Sequence, residues 1–176
     1  MQIRPADPTD ATALAQVAAA TFRLACPPEI TDEAVAGFIA EVLSEERFAD
    51  YLDDPDRALL LAEEAGEPIG YTMLVFGEPY DEDVRAVVPD RPAAELSKIY
   101  VLPDQHRSGL AAQLMTESVE IARERGAAVL WLGVNQQNER AQRFYAKSGF
   151  ERVGTKRFWV GDHWEDDYVL ARPLPT

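Results

Sequence analysis

The first third of the chain alternates apolar and polar residues with helical spacing. A short strand, MQIRPA, precedes a helix that is predicted to run through about Leu24, with Thr9 or Asp10 as its N-cap. A second helical run is predicted over TDEAVAGFIAEVLSEERF, capped by Thr31 or Asp32. Its apolar positions recur every three or four residues and are assigned to the core: Val35, Phe38, Ile39, Val42 and Leu43.

After this run the pattern changes to the period of two that is typical of strands. RALLLAEEAGEPIGYTMLVF contains two β-rich runs separated by a turn-like EEAGEP, which predicts an antiparallel pair. In the next strand candidate, AAELSKIYVLP, strict alternation would put Leu96, Lys98 and Tyr100 on one face and Glu95, Ser97, Ile99 and Val101 on the other.

The last third of the chain mixes both periods. A helix is predicted from near Gly109 to Gly126, then a central strand at AAVLWLGV, a shorter helix ending at Gly149, and two final strands. This order predicts the α+β class, with a mixed, mostly antiparallel sheet of about six or seven strands and about four helices.

Composition narrows the functional classes. A length of 176 residues, 47% of them apolar, suits one domain, residues 1–176, and the one cysteine, Cys26, excludes an intrachain disulfide. Cys26 is interpreted as a small apolar residue at a helix end in a protein of a reducing compartment. No apolar stretch is long enough to cross a bilayer, so a cytoplasmic protein without membrane association is expected.

The charge of the chain is strongly negative. Seventeen basic against 31 acidic residues give −14, which opposes attraction to nucleic acid or anionic lipid. The acidic groups cluster in three stretches, DYLDDPD, GEPYDEDVRAVVPD and GDHWEDD. Two interpretations stay open, a solvated surface that aids solubility and a funnel for a cationic substrate.

The segment DQHRSGLAAQLM, residues 104–115, joins a predicted strand to a predicted helix. Backbone N–H groups at such a helix start favour an anion, Gly109 leaves room for a ligand, and His106 and Arg107 add positive charge. An ordinary strand-to-helix turn is the alternative. The segment lacks the dinucleotide-binding glycine pattern and the lysine of a P-loop, so a nucleotide hydrolase is not expected.

Two motifs together resemble those of the Gcn5-related N-acetyltransferase (GNAT) family. They are LSKIYVLPDQHRSGLAAQLM and, after it, LWLGVNQQNERAQRFYAKSGF. The resemblance implies one N-acetyltransferase domain with a splayed central strand pair, acetyl-CoA as co-substrate and pyrophosphate-binding loop amides. The residues so implied are Arg107, Ser108, Gly109, Leu110 and Ala111 for the pyrophosphate, and Ile99, Tyr100 and Val101 for the pantetheine arm. His106 replaces the family's usual Gln or Arg.

The second motif supplies the candidate chemistry. Asn138 and Tyr145 are seven residues apart, about two helical turns, and therefore face the same way. The resemblance implies that Asn138 contacts the cofactor and that Tyr145 protonates the departing thiolate, whereas a half-buried packing role for Tyr145 is the alternative. Asn135 is a candidate contact at the strand split or, alternatively, a residue bonded to a local turn. Phe144 is assigned to packing.

The acceptor amine must lose a proton before it attacks. Glu95 is the candidate base, directly or through water, with a charged strand-edge residue as the alternative. A backbone N–H near Ile99 or Tyr100 is the candidate for stabilising the oxyanion.

The acidic loop over residues 77–92 is predicted to bind the acceptor through Glu78, Tyr80 and Asp81. The C-terminal segment loosely resembles small-amine and polyamine acetyltransferases, so a small cationic amine or polyamine is the leading acceptor, with a peptide or protein N-terminal amine second. A non-catalytic acyl-CoA-binding sensor is the alternative of another class. The two histidines share no metal-ligand spacing, so no metal is expected, and a homodimer is possible.

Overall fold

A computed structural model describes residues 1–160 and 162–175; Gly161, in the third acidic stretch, and Thr176 lie outside the described residues. The described chain forms one sheet in the order β1-β2-β3-β4-β5-β7-β6, antiparallel except between β4 and β5. Its strands are β1 (Gln2–Pro5), β2 (Arg57–Glu64), β3 (Glu67–Phe76), β4 (Ala93–Val101), β5 (Val129–Asn135), β6 (Glu151–Val160) and β7 (His163–Pro173). The prediction of a mixed, mostly antiparallel sheet in an α+β fold is confirmed.

The described residues also form six α-helices, two more than the four expected from the sequence. They are α1 (Ala11–Ala25), α2 (Asp32–Val42), α3 (Glu45–Asp53), α4 (Glu82–Val87), α5 (Leu110–Glu124) and α6 (Glu139–Lys147). The run predicted as one helix breaks because the Ser44 hydroxyl accepts a hydrogen bond from the Arg47 amide and begins α3. Helix α4 lies inside the acidic loop, where only a loop was expected.

The predicted helix caps have mixed outcomes. Thr31 caps α2 by accepting from the Ala34 amide at 3.0 Å. Asp10 stands at the N-cap position of α1 without a side-chain capping bond, because its carboxylate is bonded to the Arg4 guanidinium at 2.8 Å and to the Asp7 amide. Asp7 caps the preceding 3₁₀ turn instead.

Helices cover both faces of the sheet. The N-terminal helices pack on one face around buried Leu14, Phe48 and Tyr71, and α5 packs on the other through Met115 and Val119. The apolar residues predicted for α2 and its end all pack in the first cluster, with two buried and three half-buried: Val35, Phe38, Ile39, Val42 and Leu43.

Strand β4 contains a bulge, which overturns the predicted alternation. Leu96 pairs with Leu74 on β3, whereas Lys98 pairs with the preceding residue Met73, so Ser97 is an extra residue. Beyond the bulge the faces are exchanged: Leu96, Ile99 and Val101 now belong to the clusters on the α5 side. Glu95, Lys98 and Tyr100 therefore share the opposite face, toward α1.

The centre of the sheet is split. Parallel pairing between β4 and β5 is limited to three residue pairs, and the last of them joins Glu95 to Trp131. Both strands continue beyond this point, β4 to Val101 and β5 to Asn135, without pairing to each other. The edge of β4 over residues 96–101 is consequently free on its β5 side, where backbone donors and acceptors face the gap.

Candidate active site

A cavity of about 510 Å³ lies where β4 and β5 separate. Its walls come from β4, the end of β5, α6, the C-terminal end of α1, and the β6–β7 hairpin. Mainly backbone and neutral side chains, with Arg140 of α6 as a charged exception, line the part near α6, which we call the cofactor side. Charged side chains line the part near Glu95, which we call the acceptor side.

Most residues predicted to bind the cofactor line this cavity. On β4 they are Ile99, Tyr100 and Val101, whose backbone pairs with Thr72, Tyr71 and Gly70 on the β3 side. His106, Ala111, Asn135, Asn138 and Tyr145 line it as well. Burial raises the pKa of the Tyr100 hydroxyl to about 12, so this phenol stays protonated at neutral pH.

The loop that starts α5 lies beside the cavity. Gly109 has φ +83°, a left-handed conformation that favours glycine, and a Cβ added there would meet no atom within 4 Å. The amide of Ser108 donates to the Gln105 carbonyl, and that of Leu110 to the Ser108 hydroxyl, so these two amides already have partners. Arg107, Ser108 and Gly109 are exposed and Leu110 is buried, and none of the four lines the cavity.

Tyr145 has the features of both interpretations made from the sequence. Its half-buried ring packs at 5.5 Å from Phe144 and 6.0 Å from Phe150. Its hydroxyl makes no hydrogen bond to another described residue, and its ring borders the cavity. Burial raises the pKa of Tyr145 above its usual value, which keeps the phenol protonated and able to donate a proton.

The two asparagines both line the cavity and also shape the backbone. Asn138 begins α6, with its side-chain oxygen accepting from the Ala141 amide at 3.2 Å. Asn135 accepts from the Gln137 amide at 2.9 Å and donates to the Glu165 carboxylate at 3.2 Å. Asn135 therefore does bond to a local turn, as the alternative interpretation expected, and its side-chain NH2 group also contacts Glu165 on the acceptor side.

Glu95 lies at the last residue pair before the split. Its half-buried carboxylate lines the cavity and makes no ion pair or hydrogen bond with the other described residues. Burial raises the pKa of this carboxyl, and the positive charge of Lys98 opposes that rise.

The acidic loop contributes one residue to the cavity. Tyr80 lines it, with its ring 6.3 Å from that of Trp131. Glu78 is held by the Arg91 guanidinium at 2.7 Å, and Asp81 caps α4 by accepting from the Asp83 amide at 2.8 Å. Glu78 and Asp81 are thus outside the cavity lining.

Four further charged residues line the acceptor side: Lys98 and Lys156 were not expected from the sequence, whereas Glu165 and Asp167 belong to the third acidic stretch, GDHWEDD, which was one candidate for attracting a cationic acceptor. Lys156 on β6 and Asp167 on β7 are buried and form an ion pair at 3.3 Å. Glu165, also buried, accepts from Asn135 and contacts the His163 ring at 3.0 Å. Lys98 on β4 is the fourth. Glu165 and Asp167 are two residues apart on one strand, so the period of two could have put them on the same face.

Burial raises the pKa of the Cys26 thiol to about 11, which disfavours a thiolate although this residue also lines the cavity.

Within residues 1–160 and 162–175, no group of three metal-binding side chains is assembled. No helix in that part of the chain has the length and apolar character to cross a membrane.

Comparisons with known proteins agree with this geometry. The model of the acetyltransferase (GNAT) family matches residues 22–150. An uncharacterised N-acetyltransferase of Mycobacterium tuberculosis is 51% identical over 166 residues, 94% of this chain and 99% of the relative. The PaiA N-acetyltransferase of Thermoplasma acidophilum, solved with coenzyme A, superposes with a TM-score of 0.77 at 21% identity over 98% of both chains.

The ribosomal-protein-S18-alanine N-acetyltransferase of Escherichia coli has a TM-score of 0.70 at 22% identity, over 99% of this chain and 94% of that one. These structures share the fold of the present chain, including strands and helices in the same overall arrangement. The family match covers most of the chain, and it includes both motifs that border the split between β4 and β5. The chain therefore belongs to the GNAT family of N-acetyltransferases.

Proposed function

We propose that this protein transfers the acetyl group of acetyl-CoA to a primary amine by direct attack in a ternary complex. The observation that carries the proposal is the split after Glu95 and Trp131, which leaves one edge of β4 free along a cavity of about 510 Å³. A pantetheine arm has amide groups that can pair with such an edge as a strand would.

The proposed orientation of the cofactor follows from the two ends of this edge. The loop over residues 107–111 leads into a 15-residue helix, whose dipole and exposed, left-handed Gly109 suit a pyrophosphate, although the Ser108 and Leu110 amides would have to exchange their protein partners for it. The acetyl end then lies deeper along β4, between Tyr145 and Glu95. His106 occupies the position where the family usually has Gln or Arg, and it lines the cavity. Its imidazole would therefore lie close to the pyrophosphate end of the cofactor.

The proposed chemistry uses three groups around the thioester. Glu95, directly or through water, removes the proton that the acceptor ammonium must lose before its neutral amine attacks, and the second N–H proton passes to solvent as the tetrahedral intermediate collapses to the amide. A backbone N–H of β4 near Ile99 or Tyr100 stabilises the oxyanion of the tetrahedral intermediate. As the C–S bond breaks, the Tyr145 hydroxyl donates its proton to the CoA thiolate. The raised pKa makes the Glu95 carboxylate a stronger base than an ordinary one, and the raised pKa of Tyr145 keeps its phenol protonated at neutral pH.

Direct transfer is preferred over a covalent acetyl-enzyme. The cysteine that lines the cavity has a thiol pKa raised to about 11, and a thiol that stays protonated is a poor nucleophile. We therefore expect no release of CoA from acetyl-CoA until an acceptor is added.

The acceptor amine enters past Tyr80. A small cationic amine or polyamine remains the first candidate, because Glu95, Glu165 and Asp167 add carboxylates to a protein of net charge −14. A peptide or protein N-terminal amine is second, and the E. coli protein of the same fold is named for such a substrate.

The deciding experiment measures free-CoA release with acetyl-CoA and a panel of spermidine, simple amines, amino acids and short peptides. We expect release with at least one class of amine and acetylated product in equal amount. If acetyl-CoA binds by calorimetry but no amine supports turnover, the acyl-CoA-binding sensor would be the better description. Failure to bind acetyl-CoA would contradict both.

A further inference from the structure

One side chain in the cavity wall has no role in the chemistry above. Lys98 lies on β4, on the face that carries Glu95 and Tyr100, and lines the cavity. Within the described part of the chain, its ammonium group makes no hydrogen bond and no ion pair. An ammonium group in a half-buried wall loses part of its hydration, so the absence of a protein partner is costly.

The neighbouring cations are, in contrast, neutralised by the protein. Lys156 is paired with Asp167 at 3.3 Å, and Arg57 with Asp54 at 3.1 Å. Burial lowers the pKa of Lys98, whereas the charge of Glu95 raises it. Among the half-buried and buried cations of this wall, Lys98 is thus the one that forms no ion pair with the described residues, although the charge of Glu95 acts on it; Arg140, which also lines the cavity, is exposed to solvent.

The bulge at Ser97 determines what a ligand of Lys98 can look like. In a regular strand, residues three apart point to opposite faces, but here the extra residue brings Glu95 and Lys98 to the same one. Their backbone positions are at most about 10 Å apart, from the rise per residue of a strand. A molecule of a few bonds between its two charged ends can therefore contact both side chains.

We infer that Lys98 is a specificity-determining residue that binds a carboxylate of the acceptor, while the acceptor's amine lies at Glu95. The preferred acceptor is then a small amino acid, with a primary amine and a carboxylate a few bonds apart. This inference rests on the proposed acetyl transfer and moves the expected acceptor away from polyamines, because a second ammonium would be repelled by Lys98.

Matched acceptor pairs test the inference. Each amino acid of a series with increasing amine-to-carboxylate distance, from glycine through β-alanine to longer ω-amino acids, is compared with its own carboxamide, which keeps the amine and removes the charge. We expect kcat/KM to be about ten- to a hundredfold higher for the best acid than for its amide, the range of a hydrogen bond to a charged group.

Variants locate the preference. Lys98→Met is expected to lower kcat/KM for the acid to the level of the amide, while the value for the amide and the acetyl-CoA affinity change less than about threefold. Lys98→Arg keeps the charge and is expected to recover much of the preference. Lys147→Met is the control, because it removes the same charge from an exposed position on α6 outside the cavity.

Several outcomes would overturn the inference. The first is a wild-type enzyme that accepts amides or polyamines as well as amino acids; in that case acetyl transfer itself still stands. The second is an equal loss for acid and amide in Lys98→Met, or a loss of acetyl-CoA affinity, which would assign Lys98 to the cofactor or to folding. If no amine of either kind is acetylated, the proposed function fails together with the inference.

Discussion

The cofactor side and the acceptor side of the cavity differ in the kinds of chemical groups that line them. On the cofactor side, the free edge of β4, the start of α5 and one face of α6 present mainly backbone and neutral side chains. On the acceptor side, β4, β6 and β7 contribute the charged groups, two lysines and three carboxylates, and among these only Lys156 and Asp167 form an ion pair. A backbone surface suits a co-substrate shared by a whole family, whereas side chains can differ for each acceptor. The difference indicates that cofactor binding and acceptor choice can be changed separately.

The sharpest test of this separation is Tyr145→Phe. The change removes the proposed proton donor and leaves the ring that packs on Phe144 and Phe150. We expect kcat to fall about a hundred- to ten-thousandfold, the typical range for general acid–base catalysis, with acetyl-CoA affinity nearly unchanged. Tyr168→Phe is the matched control, because it removes the same atom outside the cavity lining. Equal losses of kcat and cofactor affinity would show that the two sides are not separable at this residue.

The buried ion pair gives the next largest effect. Lys156→Met leaves the Asp167 carboxylate buried without its partner, and burial already raises the pKa of that carboxyl despite the pair. We expect the free energy of unfolding to fall by about 3 kcal/mol in urea titrations. The double variant Lys156→Met, Asp167→Leu should recover most of the loss, because no charge is then left unpaired. A stable single variant would contradict a structural role for the pair.

Glu95→Gln tests the acceptor side through pH. In the wild type, kcat/KM should rise with pH through the raised pKa of Glu95, as the carboxyl becomes a base. We expect the variant to lose roughly tenfold in kcat/KM at neutral pH and to lose this rise. An unchanged pH profile would exclude Glu95 as the base.

Glu95→Gln is expected to lower activity but not stability. The folded-state pKa of Glu95 lies above its ordinary value of 4.5, so its contribution to stability is lost as pH rises from 4.5 through that raised pKa. Glu95→Gln should therefore be at least as stable as the wild type at pH 7, and a thermal melt across pH checks this.

The smallest effect is expected for Glu78→Gln in the acidic loop. Glu78 is engaged by Arg91 on an exposed surface, where an ion pair contributes about 0–1 kcal/mol. We expect KM for every acceptor to change less than about twofold. A large rise in KM for cationic amines alone would support the prediction that this loop binds the acceptor.

The two sides also differ in how far the sequence could predict them. The cofactor side depends on local signals, such as the glycine before α5 and the seven-residue spacing of Asn138 and Tyr145, which can be read from contiguous residues. The split between β4 and β5 was predicted from the family resemblance and not from the residue pattern. The seven strands and the helical core followed from periodicity, whereas the break before α3 depended on one serine cap and α4 on one aspartate.

The acceptor side depends on long-range register, which no local pattern contains. Lys156 meets Asp167 only because β6 and β7 pair in one particular register. Glu95 and Lys98 share a face only because of the bulge at Ser97, and the period-two rule put them on opposite faces. The acidic loop shows a related difference between sequence and structure: its charges are clustered in the sequence, but in the structure Glu78 and Asp81 have local partners.

The split sheet has a thermodynamic consequence. Only three residue pairs join β1–β4 to β5–β7 through backbone pairing. A ligand bound between β4 and β5 would therefore add contacts between the two halves of the sheet. A ligand that binds only the folded state at a hundred times its Kd adds about 2.7 kcal/mol to the free energy of unfolding. A rise in melting temperature with acetyl-CoA concentration would therefore report cofactor binding in the absence of any acceptor. The same measurement on the variants above would rank them by their affinity for acetyl-CoA.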